Sequence, residues 1–160
     1  MINRLNSLAK YLRNVPGGYW LLSRLIGLAV PYTGSIGANV VHLEAGSAAV
    51  ALADRRKVRN HLHSIHALAL GNLGELTANL ALMSLCPPHG RFIVTKLETE
   101  FLKKARGLLH CVCDMPADLP WDTAERTAAT ALITDAQDEL VARVTVHWKL
   151  GGASKREARS

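Results

Sequence analysis

The sequence predicts an α+β fold in which an antiparallel sheet wraps around one long buried helix. One observation is the stretch between Ser64 and Pro87, which is rich in alanine and leucine and apolar on nearly every side, as in helices that are fully buried. A second is the alternation of apolar and polar residues after Pro88, which is typical of half-exposed strands. Because one helix can be apolar all round only when a curved sheet covers it, the two patterns together indicate this class.

Two strands are predicted before the helix and four after it. Residues 38–44 and 47–53 flank a turn signal and form a hairpin. A polar, basic loop over 54–60 leads to the helix, for which Ser64 is the predicted N-cap. The later strands are predicted at 91–101, 107–114, 126–134 and 139–150.

Composition indicates one globular domain with a basic surface. The chain has 160 residues, of which 49% are hydrophobic, and its net charge is +6. This charge fits a nucleic acid, an anionic membrane surface or a phosphorylated small molecule as partner. Aromatic residues make up only 5% and do not alternate with basic ones, which argues against nucleic acid. Three cysteines, Cys86, Cys111 and Cys113, form no disulfide framework, so free thiols and a cytoplasmic location are expected.

The two ends of the chain are predicted to lie outside the main domain, 38–150. Residues 1–30 form one or two amphipathic helices, broken at a Pro-Gly-Gly sequence. The apolar run 19–30 is too short to cross a bilayer, and Arg24 interrupts it as the core of a signal peptide. These helices either pack on the domain or lie against a membrane surface; packing is favoured, so membrane association is not expected. Residues 151–160 are predicted to be a disordered basic tail.

One acidic residue, Glu75, lies within the apolar helix. Burying a carboxylate is costly unless it is paired, hydrogen-bonded or protonated. Gly71, Asn72 and Asn79 lie three or four residues from Glu75 and share one narrow stripe of the helix with it. This stripe is either a wet or interface surface, where Asn79 or an arginine satisfies the carboxylate, or a site where the carboxylate does chemistry.

The element order, together with the segment IHALALGNLGEL, resembles the hotdog-fold acyl-CoA thioesterases, most closely the phenylacetate-pathway type and its uncharacterised relatives. Members carry a His-Gly-Gly signature at the start of the central helix and an acidic residue nine positions after the histidine. His66 matches the histidine and Glu75 the acidic residue, and residues 92–107 are similar to the strand and turn that follow the helix. The resemblance covers about 38–150 and implies a hotdog fold, here with an N-terminal helical extension.

The resemblance also implies catalytic roles. Glu75 corresponds to a general base that activates water, or to a nucleophile that attacks the thioester carbonyl. Ala67 and Leu68 replace the two glycines of the signature, and the backbone N–H of Ala67 corresponds to the donor that polarises the thioester carbonyl. Asn60 lies fifteen residues before Glu75, where some members have an amide side chain. His66 caps or shapes the N-terminus of the helix.

Substrate contacts are expected around the helix and the basic loops beside it. Asn72 and Asn79 are placed to orient the carboxylate, and two basic clusters, 55–59 and 103–106, are candidates to meet the phosphates of coenzyme A. The spacing of three histidines, 61, 63 and 66, raises a metal hypothesis, but no fourth ligand is evident, so neither metal nor cofactor is expected. The candidate substrate-binding residues are His61, Leu68, Asn72, Asn79, Arg59 and Lys104.

We therefore expect hydrolysis of an acyl-CoA thioester in fatty acid metabolism. The resemblance implies a homodimer, or a homotetramer built from two dimers, with the site at the dimer interface and the exposed sheet edges hidden by pairing. A non-catalytic acyl-CoA or lipid-binding module is the first alternative, favoured by the loss of the two glycines. A nucleic-acid-binding protein is favoured by the charge alone, and dehydration of hydroxyacyl thioesters lacks its usual glycine-flanked histidine signature.

Overall fold

A six-stranded antiparallel sheet holds a long helix against its inner face in the computed structural model, which describes residues 7–9, 11–121, 123 and 125–151. The order across the sheet is β1-β2-β4-β5-β6-β3, and every neighbouring pair is antiparallel. The predicted α+β fold is therefore confirmed. The strands are β1 (Asn39–Glu44), β2 (Ser47–Leu52), β3 (Arg91–Phe101), β4 (Leu109–Asp114), β5 (Arg126–Thr134) and β6 (Leu140–Gly151).

The sheet is accompanied by α1 (Gly18–Ala29), α2 (Pro31–Gly34) and the central helix α3 (Ala67–Ser84). α3 contacts all six strands, which explains why its sequence is apolar on nearly every side. Gly74 allows the closest approach, because a Cβ atom there would lie 2.3 Å from the Cβ of Val144 on β6. The helix is thus held within the curve of the sheet.

Of the two residues predicted to cap the central helix, Ser64 and His66, the structure confirms His66. The backbone of His66 is extended, and its ring Nδ1 accepts a hydrogen bond from the backbone N–H of Leu68 at 3.1 Å. The other predicted cap, Ser64, is wrong because its buried hydroxyl donates instead to Asn60 Oδ1 in the preceding turn. The helix therefore starts at Ala67, and the ring of His66 occupies the second N–H of its first turn.

Inner-face residues of β4 and β6 form much of the core. The alternating pattern in β6 is as predicted, with Val144, Val146 and Trp148 fully buried. Cys111 and Cys113 lie on the inner face of β4, where burial raises their thiol pKa values to about 12 and about 11. All three cysteines are free, as predicted, and the two in β4 are protonated packing residues rather than reactive thiols.

The N-terminal helix α1 packs along the outer edge of β1. The hydroxyl of Ser23 accepts a hydrogen bond from the Val40 N–H at 2.8 Å, and that of Tyr19 accepts one from the Leu43 N–H at 3.3 Å. Two edge donors that would otherwise be free for another strand are thereby occupied. The predicted break is present at Gly17, which adopts a φ of +74° just before α1.

The ends of the chain are described only in part. Residues 1–6, 10 and 152–160 lie outside the described residues, so the predicted tail is not among them, whereas Gly151 is the last residue of β6. No helix in the described ranges is long and apolar enough to cross a membrane.

The opposite edge of the sheet, formed by β3, is open. Nothing among the described residues pairs with its outer side. β3 is eleven residues long and carries the exposed apolar side chains of Ile93, Leu97 and Phe101. Long apolar edges of this kind pair with another chain or are otherwise protected in native proteins.

Candidate active site

Glu75 is held by a hydrogen-bonded relay that starts in the core. The indole Nε1–H of buried Trp148 donates to Asn79 Oδ1 at 2.8 Å, and Asn79 Nδ2 donates to Glu75 Oε1 at 3.4 Å. Because an indole can only donate, it fixes which end of the Asn79 amide faces the carboxylate. Glu75 itself is half-buried. The carboxylate is therefore oriented by a rigid neighbour and still reaches the surface of the helix.

A free backbone donor marks the start of α3. The Ala67 N–H meets no acceptor among the described residues, whereas the next N–H, that of Leu68, is bound by the His66 ring. Ala67 is exposed. A helix N-terminus carries partial positive charge, so this N–H is suited to stabilise an oxyanion.

A cleft of about 220 Å³ lies beside this helix start. Four candidate residues line it together, so the fold brings this part of the predicted site to one place. They are Arg59, His66, Leu68 and Asn72. The remaining walls come from the N-terminal segment, the basic loop and the first turn of α3, through Tyr32, Ser35, Ile36, Lys57, Val58 and Ala69.

The two predicted basic clusters meet near the same helix start. Asp54 joins them, because its carboxylate accepts from Arg59 Nε at 2.6 Å and from the Gly107 N–H at 2.9 Å. The hydrogen bond from Arg59 is the main reason that the pKa of Asp54 is lowered. All three of Arg59, Lys57 and Lys104 are exposed, and of the three Arg59 alone is paired with a carboxylate among the described residues.

Asn60 shapes the turn that precedes the helix. Its Oδ1 accepts from the backbone N–H groups of Leu62 and Ser64 at 2.9 and 3.2 Å. The Nδ2 group finds no acceptor among the described residues and remains available to donate. Asn60 thus combines a structural role in the turn with one spare donor.

Asn72 ties the central helix to the N-terminal segment. The residue is 7% exposed, and its Nδ2 donates to the backbone oxygen of Tyr32 at 3.3 Å. Asn72 therefore holds α2 against the face of the central helix. Its side-chain amide is bonded to Tyr32 and not to Glu75. Of the two asparagines predicted to orient the carboxylate, the structure connects Asn79 to it.

Other candidates are not gathered at the cleft. His61 and Lys104 are exposed and do not line it, and neither do Glu75 and Asn79. Glu75 lies eight residues after Ala67, which is about 12 Å further along a helix axis. The carboxylate and the free N–H therefore stand too far apart to act on one carbonyl within a single subunit.

The histidine motif does not form a metal site within the described ranges. No group of three or more His, Cys, Asp or Glu side chains comes together there. His66 Nδ1 is occupied by the Leu68 N–H, and His63 sits in the turn with a φ of +54°.

Sequence reasoning missed three contributors to this region. The alternation of apolar and polar residues in β6 predicts Trp148 as a core residue, but it does not predict a hydrogen-bond partner in the central helix. Tyr32 acts through its backbone oxygen, which no side-chain pattern reveals. Lys57 lies in the predicted basic cluster 55–59, but the pattern alone does not distinguish it from Arg59 as the residue that lines the cleft with a free charge.

An antiparallel sheet in this strand order around one central helix is the hotdog fold, as the resemblance implied. The chain belongs to the family described as Domain of unknown function (DUF4442), which matches residues 18–150. No curated protein matches the chain.

Solved structures share this fold. The structural-genomics target APC5556 is 27% identical, with a TM-score of 0.75, and the match covers 93% of this chain and 99% of that one. A mutant of the thioesterase SAV0944 from Staphylococcus aureus is 13% identical over 76% of this chain and 98% of its own, with a TM-score of 0.67. The thioesterase HI1161 from Haemophilus influenzae is 10% identical over 83% and 92%, with a TM-score of 0.69.

Proposed function

We propose that the protein hydrolyses acyl-CoA thioesters, with Glu75 as general base or nucleophile. The observation that carries this proposal is the relay from Trp148 through Asn79 to Glu75. A carboxylate oriented by a core residue on a half-buried helix face is more than solvation requires, and it suits attack on a carbonyl. The hotdog fold shared with proteins that are called thioesterases supports the same reaction class.

The chemistry follows from the two groups. Glu75 either removes a proton from the water that attacks the thioester carbonyl or attacks that carbonyl itself, forming an anhydride that water then cleaves. The Ala67 N–H donates to the oxyanion that develops on the carbonyl oxygen. In both routes the tetrahedral intermediate collapses by breaking the carbon–sulfur bond, and the thiolate of coenzyme A leaves; in the nucleophilic route this step is what forms the anhydride, before water cleaves it. The thiolate takes up a proton that comes from the attacking water. The products are a carboxylate and a free thiol.

The distance between these groups requires a second subunit. Because Ala67 and Glu75 are about 12 Å apart along one helix, the N–H of one protomer and the carboxylate of its partner form the working pair. The site faces the open edge, since a Cβ at Gly71, one turn before Glu75, would meet Thr99 Oγ1 and Leu97 Cδ2 of β3 at 3.8 and 3.9 Å. We place the homodimer interface at β3, because α1 blocks the β1 edge.

Asn60 fits the same reaction as a donor to the carbonyl or to the attacking water. Two structures of the thioesterase SAV0944 carry substitutions of a glutamine and of a glutamate fifteen residues later. That spacing equals the spacing from Asn60 to Glu75. The unpartnered Nδ2 of Asn60 is the group that would serve this role.

The exposed lysines beside the helix start suit the phosphates of coenzyme A. Lys57 lines the cleft, and Lys104 lies on the neighbouring loop that Asp54 ties to it. Lysine binds phosphate as a point charge and does not need a fixed geometry.

The free cysteines are consistent with a cytoplasmic site of action.

Thiol release from a panel of acyl-CoAs tests the proposal. Glu75→Gln keeps the size of the side chain but removes the base and nucleophile, so we expect kcat to fall about a hundredfold or more. Glu44→Gln, at an exposed position at the end of β1, is the matched control and should retain wild-type activity. Full activity of Glu75→Gln would rule out Glu75 as the general base or nucleophile.

A non-catalytic acyl-CoA-binding module is the second candidate. It is favoured by Leu68, which replaces a signature glycine and places an apolar side chain, 68% exposed, at the wall of the cleft. In that case the wild type would bind an acyl-CoA tightly and release no thiol from any member of the panel. Calorimetric titration beside the thiol assay separates the two candidates.

A further inference from the structure

Helix α1 is apolar on two opposite sides. One side is buried against the domain along β1. The other carries Trp20, Leu21 and Leu28, whose side chains are 58, 42 and 78% exposed. Together with Arg24 they form the outer face of α1, and their positions span about 100° of the helix circumference. Packing on the domain therefore covers one side of this helix and leaves the apolar side chains of the other side exposed.

The charge of the sequence that contains α1 has one sign. The chain contains no Asp or Glu before Glu44 and four basic residues in that stretch. Arg24 lies on the outer face itself, with its guanidinium 5.4 Å from the centre of the Trp20 ring. A second copy of the chain would bring the same positive charge to this face, whereas an anionic surface would bring the opposite charge.

We propose that the outer face of α1 docks on the surface of a bilayer that contains anionic lipids. Tryptophan is enriched at the level of the lipid headgroups, where its ring is apolar and its N–H finds a partner. Leu21 and Leu28 enter the boundary of the acyl chains, and Arg24 meets the anionic headgroups. The helix lies in the interface plane and does not span the membrane.

Docking in this way also orients the rest of the protein. A cleft of about 250 Å³ opens between α1, α2 and β1 beside Arg24 and Leu28, and it reaches Leu76 on the central helix. Because Arg24 and Leu28 belong both to the outer face and to the lining of the cleft, docking places this cleft beside the headgroups.

This inference departs from the expectation drawn from the sequence. The sequence set packing on the domain and contact with a membrane as alternatives, and it favoured packing. The structure shows that packing uses one side of α1 and leaves the other side exposed, so the two are compatible.

Co-sedimentation with vesicles tests the docking. We expect the full chain to bind vesicles of phosphatidylcholine with phosphatidylglycerol, to bind much more weakly to phosphatidylcholine alone, and to be released by salt. The double variant Trp20→Ser/Leu28→Ser should lower the partition coefficient more than about tenfold, because it removes the two most exposed apolar groups. Arg24→Gln should lower it about fivefold, the effect of one basic residue near an anionic surface.

Matched controls come from the outer face of the sheet. Val112→Ser and Leu132→Ser replace apolar side chains that are 44 and 39% exposed, and Arg126→Gln removes an exposed charge. These variants should bind vesicles as the wild type does. Thermal unfolding of each variant shows that it remains folded.

Two results would overturn the inference. One is equal binding of the wild type and the double variant to anionic vesicles. The other is absence of vesicle binding by the wild type; if the double variant then also shows a lower molar mass than the wild type in light scattering, a second copy is the occupant of this face. Release of thiol from a short, water-soluble acyl-CoA should be unchanged in the double variant. Failure of docking is thereby distinguishable from failure of the proposed thioesterase activity.

Discussion

At the scale of single residues, the candidate site is defined by two hydrogen-bond donors, the side-chain amide of Asn79 and the backbone N–H of Ala67. The Asn79 amide is oriented by Trp148 and passes that orientation to Glu75. The Ala67 N–H is left free because His66 caps the helix through the next N–H. Replacement of the signature glycine by Ala67 does not remove this donor, because alanine keeps the backbone N–H.

Proline at position 67 would remove this N–H without disturbing the helix. Proline is favoured at the first helical position, and the residue before it must be extended, as His66 is with φ −66° and ψ 142°. We expect Ala67→Pro to lower kcat for thiol release by about 10²–10³, the loss typical of one oxyanion donor. Ala67→Gly, which keeps the N–H, should stay active. Equal activities of the two variants at matched stability would exclude the N–H as a catalytic donor.

The Asp54 carboxylate predicts a pH-dependent contribution to stability. Its pKa is lowered in the folded state, chiefly by the hydrogen bond from Arg59, so the unfolded chain binds the proton more readily. The contribution is therefore present above the usual pKa of 3.8 and is lost as the pH falls through the lowered value. Asp54→Asn should lower the Tm by about 2–4 °C at pH 7. That difference should shrink on acidification; a constant difference from pH 7 to pH 3 would contradict this account.

At the scale of elements, the site depends on how closely α3 enters the sheet. Gly74 lies against Val144 of β6, the strand that also carries Trp148. The contact brings helix and strand near enough for the indole of Trp148 to reach Asn79. Packing and the relay are thus consequences of the same close approach.

Two glycines of α3 give a matched pair for testing this contact. Gly74→Ala places a Cβ 2.3 Å from Val144 Cβ, and overpacking of this kind should destabilise the protein by about 1–3 kcal/mol. Gly71→Ala meets its neighbours at 3.8 Å or more, so it should be neutral or stabilise by up to about 1 kcal/mol through helix propensity. Urea unfolding of both variants measures the difference. Equal stabilities would show that the helix can shift without cost.

At the scale of the whole molecule, one edge of the sheet is covered and the other is open. Side chains of α1 occupy edge donors of β1, and the β3 edge is open and apolar. An assembly through β3 would bring the central helices of two protomers to one interface. The separation of Ala67 and Glu75 along one helix makes such an assembly necessary for the proposed chemistry.

Subunit complementation tests this arrangement. Glu75→Gln and Ala67→Pro should each be inactive as homodimers. After joint refolding, half of the dimers are mixed, and each mixed dimer contains one site with both groups intact, so the activity should recover to about a quarter of the wild-type value. If both groups acted within one subunit, no mixed dimer would hold an intact site and no activity would return.

Local patterns were sufficient for the elements and for part of the site. The central helix and the later strands were predictable because the spacing of apolar residues follows the element that buries them. Glu75 was predictable as a candidate site residue because burying a carboxylate in an apolar helix is costly unless it is paired, hydrogen-bonded or protonated. The N-cap was not, since the choice between Ser64 and His66 depends on where the Asn60 turn directs the Ser64 hydroxyl.

By itself, the sequence determined which segments form helix and strand and which residue types can do chemistry, since both depend on periodicity and side-chain identity within a few positions. Only the tertiary structure decided which of those residues meet. The indole of Trp148 reaches Asn79 from 69 residues away, and Asn72 bonds to a backbone oxygen 40 residues before it. Such pairs depend on register and on the curvature of the sheet around the helix, and a linear pattern carries neither.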